Sequence, residues 1–365
     1  MDFDLPHHVA ELAAEARAVG TRLAAGRGVL EDSWLVGDDP AAALELADRG
    51  WIGMSWPTKA GGGGASALER LVVVEALIST GAPVASSWFA DRQIGPTLLA
   101  YGTEEQRRRW LPGILSGTAR WCIGMSEPDA GSDVASLRTA AHRDGDRWVI
   151  SGSKVWMSGA ASAQWCYLVA RTDPAAPPHR GLSEFVVDMS SPGIEVTPIR
   201  DATGNEHFCE VRLESVEVPA DALVGTEGGS FRQIMGQMEH ERGGIDRLVS
   251  NRALYERARL RAERDDPLIR QEIAALETGY RLGRLMVLRE AMGQAPRGFS
   301  AATKTYCTEL EQRIAAFCAR VDGPAAMLEG RVARAVVYAP AYTIMGGTTQ
   351  ILRNILAERL LGLPR

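Results

Sequence analysis

Four short stretches of the chain combine residue types that could do chemistry. The first, Ser126-Glu-Pro-Asp-Ala-Gly-Ser-Asp133, packs turn formers around small residues. Such a loop can aim several backbone N–H groups at one anion or one polar ring edge. Taken alone, its spacing reads as a surface loop that caps a strand. The second, Val155-Trp-Met-Ser-Gly-Ala160, sets Trp156 two residues before Ser158. The indole could stack on a flat cofactor while the hydroxyl donates to a ring nitrogen. Taken alone, it is an ordinary buried Trp at a strand end. The third, Glu239-His-Glu-Arg242, puts carboxylates on a helix, with Asp246 beyond them. A carboxylate serves as a base near neutral pH only where a dry setting raises its pKa. A charged run on a helix is first of all a solvated face, and Glu239 stands about 200° round from Glu241. The fourth is Met345-Gly-Gly-Thr-Thr-Gln350, a glycine turn ahead of Ile351, Leu352, Ile355 and Leu356 at helical spacing. Glycines let a backbone approach a ligand closely.

These stretches sit in a chain whose texture changes twice. Residues 1–118 carry apolar positions at three- and four-residue steps, as in "HVAELAAEARAVGTRLAAG" and "ALERLVVVEALIST", and predict a helical domain. Asp39-Pro40 and Thr103-Glu-Glu look like helix starts, with a cap followed by Pro or acidic residues. Residues 119–229 hold short Val-, Ile-, Trp- and Phe-rich segments separated by Gly, Pro, Asp and Ser, among them "DRWVISGSKVWMSGA", "QWCYLVART" and "FCEVRLESVEVP". They predict antiparallel strands in a barrel or sandwich. Residues 230–365 return to long periodic helices and predict a helical bundle. The fold class is therefore α+β, a β domain between two helical domains.

Together, the first, second and fourth stretches resemble the acyl-CoA dehydrogenase family of flavoproteins. "SEPDAGSD", "GSKVWMS" and "GGTTQILRNILAERLLGLPR" occur in the family's order, and the resemblance spans essentially the whole chain. It implies a middle antiparallel β-barrel, a C-terminal four-helix-bundle-like domain and FAD as cofactor. Carried over by residue, it implies that Ile123, Met125 and Ser126 line the flavin ring and that Trp156, Met157 and Ser158 lie against the isoalloxazine. Thr348 and Gln350 contact FAD from the C-terminal turn, and Ser132 and Arg242 touch the acyl thioester substrate. The implied reaction removes an α proton to a carboxylate while a β hydride leaves for flavin N5.

Many members carry that carboxylate as a glutamate in the C-terminal turn. Here the position is Gly346, which cannot act as a base. Other members, including the isovaleryl-type and long-chain enzymes, carry the glutamate on the first helix after the β region, immediately before an arginine. Glu241-Arg242 matches that pair, so the resemblance implies Glu241 as the base. Two further family segments have no clear counterpart. An Arg-x-x-Phe-Gly segment, which binds the FAD pyrophosphate of a neighbouring subunit, is replaced by "RLRAERDDPLIRQEI". A Gly-rich segment is replaced by "RVDGPAAMLEGR". Arg264, Arg270 or Lys304 could neutralise phosphate instead, although each reads first as a solvated surface charge. Branches acting on bulky or ring-bearing acyl groups look similar, and some form mixed tetramers.

The implied partners are an electron-transfer flavoprotein as acceptor and either a homo-oligomer (dimer or tetramer) or a related second subunit. Three alternatives stay open: a flavin-poor, non-catalytic partner subunit, a relative with other flavin chemistry, and a substrate on an acyl carrier protein. Composition excludes other classes. The net charge of −6 does not favour nucleic acid. Five scattered cysteines without a CxxC pair indicate neither a metal site nor a disulfide framework and fit a reducing cytoplasm. The acidic N-terminus does not read as a signal peptide, and no apolar run is long enough to span a membrane.

Overall fold

A computed structural model describes residues 5–28, 31–242 and 244–364; the side chains of residues 27 and 237–242 lie outside that description. The chain forms two compact units. One comprises Met1–Gly37, Ala65–Pro83 and Glu239–Arg365; the other comprises Asp38–Gly64 and Val84–Met238.

The second unit holds the sheet. Its strands are β1 (Trp121–Gly124), β2 (Ala140–Asp144), β3 (Arg147–Ser158), β4 (Trp165–Arg171), β5 (Leu182–Asp188), β6 (Ile194–Ile199), β7 (Phe208–Pro219) and β8 (Leu223–Val224). The strand order is β6-β7-β3-β2-β4-β5-β8, with β1 pairing β4. Two features correct the expected antiparallel barrel. The sheet is open among the described residues, ending on β6 and β8. It is also mixed, because β1 pairs β4 in parallel and β2 meets β4 in parallel at Ala140–Arg171. The forty residues between β1 and β4 give the chain room to re-enter in the same direction, as a parallel pair requires. Trp148, Ile150, Phe185, Val187, Val211 and Val216 form the core of this unit. Its helices begin where the sequence reading put two of them. Asp39 Oδ1 accepts from Ala41 N and Ala42 N ahead of Pro40–Asp48. Thr103 and Gln106 form a capping box ahead of Glu104–Leu115.

The first unit is helical. Its long helices are His7–Arg27, Ala67–Ser79, Pro267–Ala291 and Ser300–Asp322, with Arg252–Arg261 and Arg331–Tyr342 beside them. Its interior is unusually polar for a helix bundle. Glu311 is fully buried on Ser300–Asp322 and accepts from Asn251 N at 3.0 Å. Burial pushes its carboxyl well above the ordinary range, the Asn251 bonds and Arg252 pull it back, and Asp32 pushes it further up. Buried Tyr342 donates to Asp32 in the same interior. The native state thus keeps a proton on Glu311 that the unfolded chain releases near 4.5. That contribution is fully present below the unfolded value and is lost as pH rises through the raised folded pKa. Glu311→Gln should therefore gain on the wild type in urea unfolding as pH rises above the unfolded value of 4.5. A gap independent of pH contradicts the protonated Glu311.

Candidate functional site

In the second unit, β1 ends at Gly124, packed so closely that an added Cβ would stand 2.6 Å from Leu168 Cδ1 and push that methyl aside. This close packing seats Ile123, half-buried, between buried Cys122 and Gly124. The chain then turns through Met125 and Ser126, both half-buried, into the loop that carries Ser132, which is exposed. Ser126 O accepts from Val155 N at 2.9 Å, so the turn is stitched to β3.

β3 carries a bulge there. Lys154 pairs Val211 and Met157 pairs Cys209, which leaves two residues, Val155 and Trp156, opposite the single Glu210. Trp156 takes a φ of 60°, a left-handed conformation unfavourable for a bulky L residue. The bulge inverts the side-chain alternation. Trp156 is 57% exposed, whereas Met157 is 1% exposed and packs into the β core. A ligand beside Trp156 therefore meets the main chain of Met157 rather than its side chain. Ser158, half-buried, ends the strand opposite Phe208. The sequence reading missed the ring that steadies Trp156. Phe208 meets it edge-on at 5.8 Å, and His207 stacks on Phe208 at 3.9 Å. Burial holds the His207 imidazole below its usual pKa, offset in part by Asp201. The readable signal was an aromatic pair opening a strand opposite the one that ends at Ser158.

The first unit carries the remaining candidates. Glu241 and Arg242 are the last two residues of the helix Ser230–Arg242, and their side chains lie outside the described residues. The C-terminal turn uses Gly346 at φ 66° and Gly347 at φ 95°, both left-handed. Thr348 then caps Thr349–Ile355, its Oγ1 accepting from Ile351 N at 3.2 Å, and Gln350 is exposed. Lys304 is not the surface charge expected. It is fully buried, and its Nζ donates to Gly347 O at 2.9 Å. It lies on the inner face of Ser300–Asp322 and reaches the turn. Arg264 and Arg270 are exposed, as a solvated charge should be. The two divergent segments are tied to each other: Arg261 pairs with Asp322 at 2.7 Å and Arg320 with Glu272 at 2.6 Å.

The sequence matches three family profiles in chain order. They are "Acyl-CoA dehydrogenase, N-terminal domain" over residues 32–118, "Acyl-CoA dehydrogenase, middle domain" over 122–216 and "Acyl-CoA dehydrogenase, C-terminal domain" over 228–361. The chain belongs to the acyl-CoA dehydrogenase family. Among its relatives is the acyl-CoA dehydrogenase IpdE1 of Mycobacterium tuberculosis, 38% identical over 88% of this chain and 86% of the relative. Among solved structures, the "Tcur3481-Tcur3483 steroid ACAD" superposes with a TM-score of 0.90 at 32% identity, covering both chains fully. The ChsE4-ChsE5 complex of Mycobacterium tuberculosis does so with a TM-score of 0.86 at 29% identity, also covering both chains fully. These are oxidoreductase relatives of a flavoprotein family, and no described helix is long and apolar enough to cross a membrane. Among the described residues no group of acidic, His or Cys side chains could hold a metal.

The residues present fit a flavin. In the β unit, Trp156 offers an exposed ring on which a flat aromatic ligand could stack. Trp156→Gly separates stacking from backbone strain. Glycine relieves the left-handed strain, so stability should stay within about 1 kcal/mol, while FAD affinity falls about tenfold with the lost stacking surface. Fluorescence titration with FAD and a urea melt measure the two. Unchanged affinity removes Trp156 from the site.

Proposed function

We propose that the chain is the catalytic subunit of an FAD-dependent dehydrogenase that introduces an α,β double bond into a bulky acyl thioester. Trp156 carries the reading: the β domain keeps a large ring exposed and left-handed beside a turn stitched to its own strand. Bound FAD supplies the acceptor for the β hydride. The chain supplies the proton acceptor, Glu241, because Gly346 leaves the C-terminal turn without one. Ile123, Met125, Ser126, Trp156, the Met157 main chain, Ser158, Thr348 and Gln350 hold the cofactor. Ser132 and Arg242 hold the thioester. The domains are 1–118, 119–229 and 230–365, the acceptor is an electron-transfer flavoprotein, and the setting is the cytoplasm.

The assembly is proposed to be hetero-oligomeric. Two named neighbours are complexes of two different chains, one of them a "steroid ACAD". Arg261 and Arg320 of the two divergent segments also fit this reading, since they are paired with carboxylates of the same chain. A related subunit would then supply the FAD pyrophosphate contacts. Incubation of the assembled enzyme with ring-bearing and straight-chain acyl-CoA, with an artificial electron acceptor, tests both points. Mass spectrometry should show loss of two hydrogens from the ring-bearing thioester. Desaturation of straight chains alone contradicts the substrate class, and desaturation only on a carrier protein contradicts the CoA reading.

A further inference from the structure

Lys154 stands where the alternation of β3 points inward, in line with core residues Trp148 and Ile150. It is fully buried, an environment that penalises an ammonium group strongly. Its charge is met by Glu127, 7% exposed, whose Oε1 lies 2.8 Å from Nζ. Nζ also donates to Met125 O at 3.0 Å. Glu127 has two more donors: Arg138 N reaches Oε2 at 2.6 Å and Thr139 N reaches Oε1 at 2.8 Å. One ion pair therefore bonds to both ends of the 127–139 loop, to the Met125 carbonyl and to the strand that bulges at Trp156. Every bond runs between stretches far apart in sequence and close to the candidate cofactor residues.

We propose that the Lys154–Glu127 pair is a positioning element that fixes the Met125–Ser126 turn, the Ser132 loop and the Trp156 bulge relative to one another, and so sets how tightly the β domain holds flavin. The pair touches neither cofactor nor substrate in this role. It acts through the main chain of Met125 and through the amides of Arg138 and Thr139. Replacing both charges with groups of similar shape removes the clamp without leaving a lone buried ion. The proposal rests on the flavin reading of Met125, Ser126 and Trp156, and its test reads the clamp and the cofactor separately.

The test compares the wild-type enzyme, purified with any subunit that accompanies it, with Lys154→Met/Glu127→Gln. Hydrogen exchange reads the loop directly: the amides of Arg138, Thr139 and Val155 should exchange about tenfold faster in the variant, with distant amides unchanged. Flavin titration reads the consequence: FAD should bind about tenfold more weakly, with a shifted visible band. If the double variant does not fold, Lys154→Arg keeps the charge, displaces the donor from the Met125 carbonyl, and should move both readouts in the same directions by a smaller factor. Unchanged exchange at these amides overturns the proposal, as does faster exchange with unaltered flavin affinity and spectrum. A wild type that exchanges slowly yet binds no flavin overturns the cofactor reading and leaves the clamp standing.

Discussion

Glu241→Gln is expected to bind FAD normally and to lose substrate-dependent bleaching by a factor of about 10² to 10⁴. The α proton of a thioester is weakly acidic, so its removal needs a positioned base and stabilisation of the developing enolate. Glutamine keeps the shape of the side chain and cannot take the proton. The expectation rests on two facts about the chain. Position 346 is glycine, and its φ of 66° suits a residue without Cβ, so the C-terminal turn offers no carboxylate. Glu241 precedes an arginine at the end of the helix Ser230–Arg242, the arrangement of family members with a helix-borne base. Glu239→Gln serves as the control, since Glu239 lies about 200° round the helix. Stopped-flow flavin absorbance under anaerobic conditions measures both. Full-rate bleaching in Glu241→Gln, or its loss in Glu239→Gln alone, moves the base elsewhere.

Lys154→Met by itself should be the most destabilising of these substitutions, by about 3–5 kcal/mol in urea unfolding. Removing the ammonium leaves the Glu127 carboxylate buried, with only the amides of Arg138 and Thr139 as partners. In the native protein burial pushes that carboxyl up, yet Lys154 and the hydrogen bonds bring it below the ordinary range. Burial likewise lowers the Lys154 pKa, with Glu127 working against it. A depressed carboxylate contributes stability above its unfolded value of 4.5, lost as pH falls through the folded pKa. The gap between wild type and Lys154→Met should therefore narrow in acid. Adding Glu127→Gln should restore part of the loss, because no carboxylate is then stranded, although the single amide oxygen accepts from only one of the two amides. Equal destabilisation in single and double variants contradicts the stranded-charge account.

The β domain was legible because its strands have the right texture. "DRWVISGSKVWMSGA", "LSEFVVDM" and "FCEVRLESVEVP" become β3, β5 and β7, with core residues alternating along β7. What stayed hidden depends on partners distant in sequence. The parallel seating of β1 against β4 is decided across forty residues, beyond any local pattern. Lys154 and Lys304 were unreadable for a related reason. A lysine reads as a surface charge, and partners distant in sequence, Glu127 for one and the Gly347 carbonyl for the other, help make burial tolerable. Glu311 hid in the same way, its Asn251 partner lying 60 positions away. At the candidate site the sequence singled out Trp156. Its left-handed φ and the opposite burial of Met157 come from the bulge, which a two-residue periodicity cannot show.

The visible absorption spectrum of the purified assembly, before and after anaerobic addition of an acyl-CoA panel, tests the central claim most directly. The account predicts an oxidised flavin spectrum that bleaches with a bulky acyl-CoA and stays oxidised in Glu241→Gln. A flavin spectrum unmoved by every thioester, or an assembly without flavin, contradicts it.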